Sequence, residues 1–114
     1  MITLKVQRTH FVNIVNGTKT IEGRLMKGNV TMLAPNDIIR FTEVETRTNF
    51  ILCRVTKIKK YKSFYEMLTS VGYKLCIPNA NNIEEAENIY KQFPGYTEGQ
   101  NVYGVAAIYI EIVE

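Results

Sequence analysis

The sequence predicts an α+β fold in which short strands alternate with helices. Apolar and polar residues alternate along residues 2–6 and 20–25, which is the period of a strand with one buried face. Helix-start signals at Ser63 and Asn82 precede two apolar runs of helical spacing. The chain has 114 residues, of which 46% are hydrophobic, so it can form one domain with its own core and needs no disulfide.

Five strands are predicted from alternating or continuously apolar runs, at residues 2–6, 20–25, 38–41, 50–60 and 105–113. The last run is almost continuously apolar, which is typical of a central strand covered on both faces. The alternation of the fourth run changes parity near Thr56 and Lys57, which predicts a β-bulge there.

Three helices are predicted from capping residues and helical spacing. Their predicted N-caps are Thr9, Ser63 and Asn82, and their predicted ends are Gly17, Gly72 and Phe93. The polar or Gly/Pro-containing segments between the elements are predicted to be loops, at residues 33–37, 45–49, 73–79 and 96–101.

The net charge of +3 conceals an uneven distribution along the chain. Residues 1–62 carry twelve Lys or Arg against four Asp or Glu, and residues 63–114 carry two against seven. A basic first half suggests an anionic ligand held against the early strands.

The cysteine and histidine content and the absence of long apolar runs disfavour several classes of protein. Cys53 and Cys76 form no C-x-x-C pair and His10 is the only histidine, so a structural zinc site is disfavoured. No charged-then-apolar leader opens the sequence and no apolar run approaches membrane-spanning length, so we expect an intracellular protein, cytoplasmic or nuclear.

Residues 17–24 read G-T-K-T-I-E-G-R and place three charges where a helix ends and a strand begins. Glu22 and Arg24 share a strand face at roughly 7 Å between Cα atoms, with Thr20 beside them. Lys19 precedes the regular strand and can swing to the same rim. On spacing alone, a solvated face with weak ion pairs remains an open interpretation beside a binding site.

The same stretch resembles the G-x-K-x-x-E-x-R signature of the ASCH family, a PUA-like domain, with Gly17, Lys19, Glu22 and Arg24 at the four marked positions. Similarity to stand-alone ASCH proteins continues in L-K-V-Q, A-P-N-D-I-I, Y-K-S-F-Y-E-M-L, I-P-N-A-N-N-I-E-E-A-E-N-I-Y and Y-G-V-A-A-I. The resemblance implies a single ASCH domain over residues 1–114. It also implies a small PUA-like β-barrel of about five to six strands with two to three flanking helices.

The resemblance further implies binding of RNA, of another single-stranded nucleic acid or of a modified nucleoside. Glu22 would accept a hydrogen bond from a base amino group or a 2′-hydroxyl, or hold Lys19 and Arg24 in position. Lysines would neutralise phosphates and tyrosines would stack on bases. The expected nucleic-acid-binding residues, converging on one cleft, are Lys19, Arg24, Lys27, Lys57, Lys60, Tyr61, Lys62 and Tyr103. The lysines near residue 60 are equally consistent with an edge strand guarded against aggregation.

Hydrolysis remains an alternative in two forms. Resemblance to small bacterial ASCH amidohydrolases acting on N4-acetylcytidine implies a catalytic Lys19, but Glu22 stands where those enzymes have a threonine, and Thr20 is the nearest hydroxyl. In a ribonuclease, Glu22 would take the 2′-hydroxyl proton while Lys19 and Arg24 stabilise the phosphate.

We expect no cofactor, although a nuclease could use a divalent ion bound through Glu22 with Asp37 or Glu43. A third alternative is a protein-interaction module, because ASCH relatives occur in coregulatory assemblies. Its partner surface would be the acidic helix at residues 82–93.

Overall fold

The computed structural model describes residues 1–114 and contains five strands and five α-helices. The strands are β1 (Ile2–Val6), β2 (Ile21–Leu25), β3 (Ile38–Glu43), β4 (Phe50–Tyr61) and β5 (Val105–Ile112). The helices are α1 (Arg8–Val15), α2 (Phe64–Val71), α3 (Tyr73–Cys76), α4 (Ile83–Lys91) and α5 (Tyr96–Tyr103). The α+β class and the five strands are as predicted.

All five strands form one sheet in the order β1-β3-β4-β5-β2. β1 pairs with β3 in parallel, and the other three pairings are antiparallel. The sheet curls into a half-barrel that brings its two edge strands together, since the guanidinium of Arg24 on β2 donates a 2.6 Å hydrogen bond to the carbonyl of Lys5 on β1. The PUA-like barrel architecture is therefore confirmed.

Two separate hydrophobic cores lie on the two faces of the sheet. The first contains Phe11 and Ile14 of α1, and the second contains side chains of α2 and α4. β5 contributes Ala106 and Ile108 to the first core and Val105 and Ala107 to the second. Both faces of β5 are therefore covered, as its continuous apolar sequence predicts.

β4 carries the predicted bulge, since its register against β5 shifts between Val55 and Lys57. β3 pairs with β4 only over Phe50–Arg54, so beyond the bulge the segment with Lys57, Lys59 and Lys60 pairs with β5 alone. The interpretation of these lysines as protection of a strand edge is therefore consistent with the pairing. The bulge lets β4 follow β5 over almost the whole length of both strands, while the lysine-rich end of β4 keeps one unpaired edge.

Two of the three predicted helix caps are confirmed. The Ser63 hydroxyl accepts a hydrogen bond from the Glu66 N–H at 3.0 Å, and the Asn82 side chain accepts one from the Glu85 N–H at 2.9 Å. The Thr9 assignment is wrong, because the chain turns straight from β1 into α1 and Gln7, with extended backbone and no side-chain bond, takes the N-cap position.

Two segments predicted as loops contain the helices α3 and α5, so these predictions are wrong and the helix count exceeds the expected two to three. α5 is polar and includes a glycine, both poor signals for a helix. Its Gly99 is buried, and an added Cβ there would lie 2.5 Å from Leu25 of β2, so close packing on the sheet stabilises this helix. None of the helices has the length and apolar content to cross a bilayer.

Candidate functional site: a buried ion cluster in an aromatic cleft

Lys19 enters the interior because the chain reverses direction after α1. Gly17 adopts φ +83°, and the Lys19 N–H then bonds back to the Asn13 carbonyl at 2.9 Å. The Lys19 side chain is 1% exposed. Its Nζ donates to the carbonyls of Ile21 at 2.8 Å and Cys76 at 2.6 Å, and lies 3.1 Å from Oε1 of Glu22. The three ammonium hydrogens therefore have three acceptors inside the protein.

Glu22 is held between two cations. Its Oε1 faces Lys19, and its Oε2 accepts a 2.7 Å hydrogen bond from Nε of Arg24. Burial alone raises the pKa of Glu22, but the charges of Lys19 and Arg24 and the Arg24 hydrogen bond outweigh it and hold the pKa at about 2. The carboxylate is therefore ionised at neutral pH although its side chain is only 8% exposed.

Arg24 completes the cluster from the other side of Glu22. Burial lowers the pKa of Arg24, but the charge and hydrogen bond of Glu22, together with Tyr96 and Tyr90, outweigh this effect and raise it. Its Nε and Nη2 bind Glu22 and the Lys5 carbonyl, while Nη1 makes no hydrogen bond. The side chains of Lys19, Glu22 and Arg24 are 1%, 8% and 20% exposed, so the interpretation of these charges as a solvated face is wrong.

A cavity of about 240 Å³ lies above this cluster, where β1 and β2 face each other. We call it the aromatic cleft. It is lined by Lys5, Val6, Gln7, His10, Lys19, Glu22, Gly23, Arg24, Val44, Ile77, Tyr90, Phe93 and Tyr96. The Phe93 and Tyr96 rings are 5.2 Å apart, and Tyr96 stacks on the buried Phe64 ring at 5.4 Å, which fixes its orientation.

The Tyr90 hydroxyl is the one buried side-chain nitrogen or oxygen atom that makes no hydrogen bond of ordinary geometry, and its polar neighbours are the Gly23 backbone and the Cys76 thiol. Tyr90 lines the cleft and is 3% exposed. Burial raises the pKa of Tyr90 well above its ordinary value, so the hydroxyl is a neutral donor. Gly23 makes room for it, because an added Cβ at this position would lie 2.8 Å from the tyrosine oxygen.

His10 closes the cleft from α1. Burial and the nearby Lys19 charge lower the pKa of His10, so the imidazole is neutral at pH 7 despite the attraction of Glu22. Its ring lies 6.3 Å from that of Phe93. The cleft therefore presents a single ionised carboxylate, one partly free guanidinium and the exposed Lys5 side chain among neutral aromatic walls.

The family model of the ASCH domain matches residues 4–114. The chain belongs to the ASCH domain family. The family inferred from the G-x-K-x-x-E-x-R motif is thus confirmed, and the three charged residues of that motif form the floor of the cleft.

Solved structures agree with this assignment. The hypothetical protein PH0355 is 35% identical over 97% of each chain, with a TM-score of 0.86. Protein PF0455 from Pyrococcus furiosus is 34% identical over 99% of this chain and 97% of its own, with a TM-score of 0.79. The ASCH protein from Zymomonas mobilis is 12% identical with a TM-score of 0.65, over 96% of this chain and 65% of its own, and shares the fold. No curated protein matches this sequence.

The site predicted from the sequence of this ASCH domain did not include four aromatic residues that line the cleft. They are His10, Tyr90, Phe93 and Tyr96. Tyr90 and Phe93 are three positions apart on and just after α4, a spacing that places side chains on one helix face. That spacing is a usable signal, but nothing local shows that this face meets β2.

The predicted convergence of all basic residues on one cleft is wrong. Lys60, Lys62 and Tyr103 line a separate open groove of about 600 Å³, whereas Lys57 lies over the Tyr109 ring. Tyr61 is 7% exposed and its hydroxyl is 3.1 Å from Oγ of Ser70, so its ring is not free to stack on a base. Strand alternation explains the separation, because β4 sends neighbouring lysines to opposite faces.

The remaining predicted residues also have defined places. Lys27 lies beside the cleft and shares a shallow depression with Arg24 and Tyr96. Thr20 does not line the cleft.

The two acids expected to support a divalent ion with Glu22 are engaged elsewhere. Asp37 accepts a hydrogen bond from Ala34 N–H at 2.9 Å, and Glu43 pairs with Arg8 at 3.2 Å. No group of three or more His, Cys, Asp or Glu side chains is arranged to hold a metal ion.

Proposed function

We propose that the aromatic cleft binds one base of a nucleotide, in RNA or another single-stranded nucleic acid. The observation that carries this proposal is the ionised Glu22 carboxylate, fixed by Lys19 and Arg24 at the floor of an aromatic-walled cavity. A carboxylate held in this way accepts hydrogen bonds from a ligand without reorganising.

The polar groups of the cleft suit the edge of a nucleobase. Base edges carry donors and acceptors side by side. Glu22 offers acceptor lone pairs, and the Nη1 group of Arg24 offers donors. The Tyr90 hydroxyl oxygen is buried against Gly23, so it adds a donor when its side chain turns towards the ligand.

The walls and the size of the cleft suit a single planar ring. Phe93 and Tyr96 present neighbouring rings, and stacking of a base on an aromatic side chain contributes about 1–3 kcal/mol. The cavity of about 240 Å³ is small beside the roughly 300–1,000 Å³ of drug-sized ligand sites. One base fits this description better than a folded oligonucleotide.

The same geometry favours binding over hydrolysis. A general base works best when its pKa is close to the working pH, and the pKa of Glu22 is held at about 2. Lys19 has no free hydrogen for a phosphate and is fixed by two carbonyls and a carboxylate. Lys19 therefore affects a ligand only indirectly, by holding the Glu22 carboxylate in position.

The test is titration of the protein with nucleoside monophosphates and with short single-stranded RNA, by calorimetry. We expect Tyr96→Leu and Phe93→Leu each to weaken binding about 5- to 150-fold, the equivalent of one lost stacking contact. Tyr65→Leu is the matched control, because Tyr65 is exposed on α2 and lines neither the cleft nor the groove. Circular dichroism checks that each variant is folded.

Absence of any saturable nucleotide binding by the wild type would refute the proposal, and so would an equal loss in Tyr65→Leu. Incubation with N4-acetylcytidine and with RNA tests the hydrolytic alternatives. We expect both substrates to be recovered intact. If the wild type instead converts either substrate and Glu22→Gln abolishes that turnover, the function of the cleft is catalysis.

A further inference from the structure

Six lysines outside the aromatic cleft are left without an ionic partner, and three of them lie beside two neighbouring depressions of the surface. Lys27, Lys60 and Lys62 are exposed and form no salt bridge, whereas the cations of the cleft floor are paired with Glu22. Unpaired lysines gathered on one side of a small domain form a positive surface for an anionic partner.

These lysines form a continuous route that begins at the cleft. Arg24 and Tyr96 line both the cleft and the shallow depression that contains Lys27. The ammonium of Lys27 lies 5.2 Å from the centre of the Tyr103 ring. Tyr103 in turn lines the open groove that contains Lys60 and Lys62.

The groove is shaped by its backbone as well as by its charges. Gly104 has φ +76°, and an added Cβ there would lie 2.7 Å from Cε of Lys60, so the lysine stem rests against the glycine. Tyr103 is 42% exposed, and the Lys27 ammonium lies over its ring. Glu66 is the one carboxylate that lines the groove. The ammonium groups of Lys27, Lys60 and Lys62 outnumber this one carboxylate, so the surface is basic.

We propose that Lys27, Tyr103, Lys60 and Lys62, here called the basic track, bind the sugar–phosphate backbone of the strand whose base occupies the cleft. This inference rests on the proposed function of the cleft and deepens it. Grooves that combine cations with exposed aromatic rings are typical of sites for single-stranded nucleic acid, since lysines contact phosphates and a ring receives a base. The ligand is then a strand of several nucleotides, and a free nucleotide fills only part of the site.

The test compares a nucleoside monophosphate with single-stranded RNA oligonucleotides of increasing length, at several salt concentrations. We expect the longer strands to bind at least about tenfold more tightly. Each phosphate contact on a single strand adds about 0.7 to the slope of log affinity against log salt. Lys60→Ala/Lys62→Ala should therefore lower that slope by about 1.4 and leave the affinity for the monophosphate unchanged.

Lys57→Ala/Lys74→Ala is the matched control. It removes the same charge, but Lys57 lies over the Tyr109 ring and Lys74 over the Tyr73 ring, and none of these four residues lines the groove. We expect this double variant to keep the wild-type slope. If both double variants lower the slope equally, the attraction of RNA to this domain is diffuse and the proposed basic track is wrong.

Three further outcomes separate the track from the cleft. Oligonucleotides that bind no better than the monophosphate would overturn the track and leave the cleft function standing. Oligonucleotide binding that needs Lys60 and Lys62 but is indifferent to Tyr96→Leu would support the track and refute the cleft. Displacement of RNA by polyglutamate at equal charge concentration would identify a general acidic-peptide surface and overturn the track.

Discussion

Arg24 on β2 donates a 2.6 Å hydrogen bond from Nη2 to the backbone carbonyl of Lys5 on β1. These strands are the two edges of the sheet, so this contact spans the seam of the half-barrel. The Nε of the same guanidinium holds Glu22 at 2.7 Å. One side chain therefore links the closure of the fold to the position of the carboxylate in the cleft.

Arg24→Lys should destabilise the protein by about 1.5–3 kcal/mol. A lysine ammonium lacks the fork of donors that reaches Glu22 and the Lys5 carbonyl together, so one charged hydrogen bond is lost. Urea unfolding measures the change. Arg54→Lys is the control, because its contact with Glu111 is exposed and 3.6 Å long, and we expect less than about 1 kcal/mol there. Equal effects of the two substitutions would contradict the linking role of Arg24.

Lys19→Met should cost about 3–5 kcal/mol of folding free energy, because it leaves a buried carboxylate short of one cation and two carbonyls without a donor. Adding Glu22→Gln to this variant removes the uncompensated charge and should restore part of the loss. Lys74→Met on the surface of α3 serves as control, with an expected change within about 0.5 kcal/mol. A double variant no more stable than Lys19→Met alone would argue against the ionic explanation.

Stability should fall in acid through Glu22. Its pKa is about 2 in the folded protein against 4.5 as the ordinary value, so at pH above about 4.5 both states are ionised and its contribution is complete. As the pH falls from there to about 2, the unfolded state takes up the proton first and about 3 kcal/mol is lost. Urea unfolding of wild type and Glu22→Gln between pH 6 and pH 2 measures this. If both proteins lose stability in parallel, the assignment to Glu22 is wrong.

Tyr90→Phe should separate stability from binding. The hydroxyl is buried and makes no hydrogen bond of ordinary geometry, so its removal should leave the free energy of unfolding unchanged or raise it by up to about 3 kcal/mol. Nucleotide affinity should drop about tenfold, because the ligand loses a donor in the cleft. Thermal unfolding and calorimetry provide the two readouts. Unchanged affinity would remove Tyr90 from the set of ligand contacts.

Local signals in the sequence predicted most of the framework. The caps at Ser63 and Asn82, the bulge near Thr56 and the central position of the last strand depend on neighbouring residues or on alternation, which the chain displays directly. α5 was missed because its stability comes from the close packing of Gly99 on Leu25, and a polar sequence does not show that contact.

The sequence by itself determined the family and the charged motif, since alternation along β2 is enough to put Glu22 and Arg24 on one face. Only the tertiary structure decided that these charges are buried and that aromatic rings from α1, from α4 and α5 and from the segment between them surround them. Burial and enclosure depend on which distant segments meet, and here the curl of the sheet brings β1 to β2 through a contact between residues nineteen positions apart.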